Sequence, residues 1–136
     1  MDSQIFVNLP VKDLEKSMTF YKELGFTIDA QFTDETAACV VISDTIYVML
    51  LTHTKMKEFT SKEIANAHKT TETINALSAE SKEAVDKLIN KALENGGTET
   101  YEPQELGFMY SRSFNDPDGH IWEVFWMDMA AVNKQR

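Results

Sequence analysis

The sequence predicts an α+β fold made from two βαβββ modules that form a curved mixed sheet around a central cavity. Two observations carry that prediction. The hydrophobic pattern switches between the two-residue period of strands and the 3.6-residue period of helices. The resulting element order then returns after about 70 residues. The chain of 136 residues reads as one domain: a first module over 3–53, a helical linker over 54–72, a second module over 73–128 and a short tail over 129–136.

Gln4-Ile5-Phe6-Val7-Asn8-Leu9 is read as a strand closed by Pro10, which has no amide proton for a ladder. Asp13 is placed to cap a helix ending at Leu24, with Leu14, Met18, Tyr21 and Leu24 on one face and Gly25 as its stop. Three short strands follow at 27–33, 36–42 and 46–52, separated by Asp34-Glu35 and Ser43-Asp44-Thr45. The segment 54–73 is polar, lacks a continuous apolar face and starts one short helix at Ser61, so it reads as a linker or flap. A strand over 73–79 then opens the second copy. Ser81 caps a helix on which Ala84, Val85, Leu88, Ile89, Ala92 and Leu93 form a stripe, ended by Asn95-Gly96-Gly97. Strands at 98–101, 107–115 and 120–127 complete it, the last two joined by a two-residue turn at Asp118-Gly119.

Composition narrows the function classes. A net charge of −9, from 22 acidic and 13 basic residues, repels phosphate backbones, and no basic cluster interleaved with aromatics offsets it. Nucleic acid is therefore not an expected partner. Apolar runs stop at about six residues against the ~20 that span a bilayer, so no membrane is expected either. The N-terminal stretch lacks the basic and apolar regions of a secretion signal, and the single cysteine cannot form an internal disulfide. Both fit a cytoplasmic protein. Cys39, within Ala37-Ala38-Cys39-Val40-Val41-Ile42, reads as a small buried hydrophobe.

A four-stranded sheet with a helix on one face leaves its other face to be covered. Two such units facing each other enclose a concavity suited to a ligand. Leu9-Pro10-Val11-Lys12-Asp13-Leu14, with Ser17 and Phe20-Tyr21 after it, and Asp116-Pro117-Asp118-Gly119-His120 with Glu123 near the end carry a resemblance. With them the chain resembles the vicinal oxygen chelate superfamily of glyoxalases, bleomycin-resistance proteins and extradiol dioxygenases. The resemblance implies one divalent metal held by a His or Glu from each of four strands. On this chain those places fall on Phe6, on Met49 or Leu50, on Ile74 and on Glu123. Only Glu123 is a ligand-type residue, so no cofactor is predicted and a divalent metal would need unconventional ligands. His53, His68 and His120 lack the short spacings that bring two imidazoles to one ion.

Strand alternation places Phe6 with Asn8, and Glu123 with Ile121 and Phe125. The predicted site is then an apolar pocket lined by Phe6, Asn8, Met49 or Leu50, Ile74, Phe108 or Met109, Tyr110, Glu123 and Phe125. A two-residue hairpin turn would pair Phe114 with Glu123 and bring Arg112 diagonally to the carboxylate, about 7–8 Å apart at Cα. A bulge in the hairpin would send Arg112 to the other face. The same residues also fit a collapsed core. Two functions are compatible with this set: a binding protein holding a small organic molecule without a metal, or an enzyme. The enzyme would be a metal-dependent, lactoylglutathione lyase-like or extradiol dioxygenase-type protein, or one with Glu123 as a general base tuned by burial. The resemblance further implies a homodimer.

Overall fold

The computed structural model describes residues 2–134, and its arrangement is α+β as the sequence predicts. The chain divides into two compact units, residues 1–70 and 71–136. Unit 1 contains β1 (Ile5–Val11), α1 (Leu14–Glu23), β2 (Thr27–Asp29), β3 (Ala37–Val41), β4 (Ile46–Thr52) and a single-turn α2 (His53–Met56). Unit 2 contains β5 (Ile74–Ser78), α3 (Lys82–Glu94), β6 (Gln104–Glu105), β7 (Met109–Asn115), β8 (Ile121–Met127) and α4 (Met129–Lys134). The sheet orders are β1-β4-β3-β2 and β5-β8-β7-β6, so the same topology occurs twice. In each, the first strand runs parallel to the last and the remaining pairs are antiparallel.

α1 and α3 begin where the sequence places their caps. Asp13 accepts a hydrogen bond from the Lys16 amide at 3.1 Å, and Ser81 accepts one from the Ala84 amide at 3.0 Å. Each satisfies an amide that has no partner in the first turn, a contact worth about 1 kcal/mol. The α3 stripe is sealed, with Val85, Ile89 and Ala92 fully buried. In unit 1 the corresponding core is Ala38, Val40, Val48 and Leu50, alternate residues of β3 and β4 on the face covered by α1. Cys39 is buried, as expected of a small hydrophobe.

Several element boundaries differ from the sequence reading. Pro10 lies inside β1, opposite Leu51, because β1 is the outermost strand of its sheet and a missing amide there breaks no ladder. β2 stops at Asp29, whose side chain accepts from the Gln31 amide at 3.0 Å and turns the chain into a short 3₁₀ segment, Ala30–Phe32. The linker helix begins at His53, not at Ser61, since Thr52 caps it by accepting from the Lys55 amide. Residues 98–101 are no strand: only Thr98 bridges Asn115, and the Tyr101 amide goes to the Ser113 hydroxyl. β6 instead follows Pro103. The tail contains α4, started by Asp128, which accepts from the amides of Ala130 and Ala131. Residues 135 and 136 of the expected tail lie outside the described residues. No helix among the described residues is long and apolar enough to cross a membrane.

Candidate functional site

The β7–β8 hairpin decides which side chains share a face with Glu123. Asp116 accepts from the amides of Asp118 and His120 at 3.0 and 2.9 Å, while its own amide donates to the His120 carbonyl. Gly119 completes the loop at φ +88°, where a side chain would be strained. The connection therefore spans 116–120 and is not a two-residue turn. Pairing shifts by one residue: Phe114 lies opposite Trp122, and Glu123 opposite Ser113. Since strand faces alternate, this shift reverses the expected position of Arg112.

One face of unit 2 consequently carries Ile74 and Ala76 from β5, Ser111 and Ser113 from β7, and Ile121, Glu123 and Phe125 from β8. Met109 belongs to this face by the same alternation. Over Glu123 sits Tyr101, from the irregular stretch before β6. Its hydroxyl donates to Glu123 Oε2 at 2.6 Å, and its amide donates to Ser113 Oγ at 3.3 Å. Ser111 and Ser113 are buried, and both hydroxyls reach the phenol. Burial raises the Tyr101 pKa above the usual phenol value, and the bond to Glu123 raises it further; the two serine hydroxyls act the other way. Tyr101 stays a proton donor to the carboxylate well into the alkaline range. Sequence reasoning missed it because the stretch has no period to place a side chain. The one sequence signal was Pro103, which ends any ladder that would have carried Tyr101 into a strand.

Tyr110 and Arg112 lie on the opposite face, against α3, and so do not line the Glu123 site. The Tyr110 hydroxyl donates to Asp86 Oδ1 at 2.6 Å. Arg112 donates to the same oxygen and to Asn90 through Nη1, and to Glu99 through Nη2 at 2.5 Å. Desolvation pulls the guanidinium pKa down, but its bonds to Glu99 and Asp86 outweigh that and leave it raised. Burial, then the bond to Asp86, raises the Tyr110 phenol. Trp122, Val124 and Trp126 share this face, with Lys82 of α3 over the Trp126 ring, as the sequence alternation implied.

In unit 1, Phe6, Asn8 and Met49 share a face, whereas Leu50 points to the other and is fully buried. The register thus chooses Met49 of the two alternatives. Phe6 stacks on Tyr47 at 4.6 Å and 9°, a neighbour the sequence reading did not name. Asn8 donates back to the Phe6 carbonyl at 3.1 Å. An open cleft of ≈600 Å³ lies after β4, between His53, Lys57, Ser61 and Lys62, and contains none of the predicted site residues. His53 is therefore at a cleft, lined mainly by exposed polar side chains together with Ile64.

These two sheets, each with a helix on one face, define a class of proteins built by repeating one βαβββ unit. The profile described as Glyoxalase/Bleomycin resistance protein/Dioxygenase superfamily matches residues 4–124, and the chain belongs to that superfamily. Among solved structures, a hypothetical protein from S. aureus is 33% identical, with a TM-score of 0.76 over 93% of this chain and 95% of that one. A glyoxalase-related enzyme from Fulvimarina pelagi is 19% identical, with a TM-score of 0.78 over 93% and 88%. Fosfomycin resistance protein FosX from Mesorhizobium loti is 14% identical, with a TM-score of 0.70 over 98% of both chains. No curated protein matches.

The superfamily resemblance implies a divalent metal, and the residues here do not fit one. Phe6 and Ile74 offer no lone pair, Met49 offers only a soft thioether, and Glu123 already accepts from Tyr101. Among the described residues, no three His, Cys, Asp or Glu side chains gather in a way that could hold an ion.

Proposed function

We propose that this protein binds a small organic molecule at the Glu123 face and does so without the superfamily's metal. The Tyr101–Glu123 bond carries the reading. It engages one oxygen of the carboxylate with a phenol and leaves the other as a polar anchor on a face shared with Ile74, Ile121 and Phe125. A half-buried carboxylate needs partners, and here a tyrosine backed by two buried serines provides one. The scaffold it shares with these relatives does not by itself carry function, so the reading rests on the residues of the site.

Metal analysis of protein purified without an affinity tag tests the reading. Substoichiometric metal is expected. Stoichiometric zinc, nickel, iron or manganese, removed by Glu123→Ala, would replace it with a metal-dependent lyase or an extradiol dioxygenase-type enzyme. A small-molecule screen by thermal shift addresses the positive side, since a ligand that binds only the native state raises its stability. The same reading has the protein act as a cytoplasmic homodimer with no nucleic-acid or membrane partner. Light scattering tests the dimer, with twice 15.5 kDa as the expected mass.

A further inference from the structure

We propose that the ligand at this site is an organic ammonium, its basic nitrogen bonded to Glu123 Oε1 and its apolar body on Ile74, Ile121 and Phe125. The inference rests on the reading above and names the ligand class for the same site.

Glu123 accepts a hydrogen bond from Tyr101, and that bond uses Oε2. Its other oxygen has no hydrogen bond within the described residues and is not sealed from solvent: among them, the one buried side-chain atom lacking a partner is Arg112 Nε. Among the residues whose side chains are described, no Lys, Arg or His forms an ion pair with Glu123. The basic side chain on the adjacent strand, Arg112, is on the other face and committed to Asp86 and Glu99. Oε1 is thus an acceptor with no cation among the described side chains, on the face that carries exposed Ile74. An anionic ligand would meet the carboxylate with no described cation to offset the repulsion. A neutral hydroxyl could donate one ordinary hydrogen bond. An ammonium donates a charge-assisted one, the stronger kind. The net charge of −9 also raises the local concentration of cations around the chain.

Tyr101 acts here as a positioning residue. Its amide is held by Ser113 and its hydroxyl holds Oε2, which fixes the carboxylate and leaves Oε1 for the ligand.

The test uses the full chain and three probes of matched shape: 2-phenylethylamine, 2-phenylethanol and 3-phenylpropanoate, titrated by calorimetry or ligand-observed NMR at pH 7. The amine should bind at least about tenfold tighter than the alcohol, and the propanoate more weakly than either. Glu123→Gln should remove the amine's advantage. Tyr101→Phe should weaken amine binding while leaving the alcohol little changed, a split that general loss of structure would not give. The wild-type comparison needs no variant to fold. Equal affinity for amine and alcohol, no measurable amine binding, or amine binding indifferent to Glu123→Gln would overturn the inference. Glu123-dependent binding of the alcohol alone would end the ammonium assignment yet keep the small-molecule reading. Stoichiometric metal would end both.

Discussion

Asp86 and Tyr101 show what single side chains contribute on the two faces of one sheet. Asp86 accepts from both Tyr110 and Arg112, tying α3 to β7. Its carboxylate is 45% exposed, so solvent screens the ion pair, but the Arg112 side chain is only 12% exposed and loses a partner that water replaces poorly. Asp86→Ala is expected to cost about 1–2 kcal/mol in urea unfolding, and its effect should be non-additive with Tyr110→Phe. Tyr101 gives a pH dependence of known sign. Folding raises its pKa, so its contribution is complete below the ordinary phenol value of 10.0 and disappears as pH rises through the folded-state value. Part of the alkaline loss of stability should vanish in Tyr101→Phe, and the remainder should include Tyr110, which shifts in the same direction.

At the level of elements, α3 and its C-terminal turn set the position of the site. Ile89→Ala, within the sealed stripe, should cost about 2–5 kcal/mol by denaturant titration. Gly97 is subtler. A Cβ there would lie 2.9 Å from the Ala92 carbonyl oxygen and 3.0 Å from that of Asn115, both backbone atoms that cannot rotate away. Gly97→Ala must therefore displace the end of α3 from β7 and disturb the Thr98–Asn115 bridge that leads the chain toward Tyr101. It should lower the melting temperature and also impair ligand binding, whereas Ile89→Ala should lower the melting temperature with little effect on affinity in the folded fraction. The contrast also shows which elements were legible in the sequence. The α3 stripe and both caps are periodic or chemically local, and they were read correctly. The 98–105 stretch follows neither rule, because the Tyr101 amide is satisfied by a serine side chain and not by a neighbouring strand.

Across the whole molecule, the doubled βαβββ order could be read from the chain because each unit must bury one face of a sheet under one helix, and both helices advertise that face. The pairing of side chains with faces was only partly readable. Glu123, Ile74 and Phe125 share a face as alternation within strands demands, as do Phe6 and Asn8. Arg112 and Tyr110 were placed with them by assuming a tight turn, and the side-chain bonds of Asp116 made the connection longer. Charge acts at this scale too. A chain with net charge −9 repels itself when compact, so moderate salt should raise its melting temperature, although it weakens exposed pairs such as Lys82–Glu105.

The length of the 116–120 connection works as a parity setting for the sheet. Removing one residue from it while β8 stays fixed would turn β7 over, carrying the Arg112 guanidinium to the face where two serines now lie and setting it near Glu123 as an internal salt link.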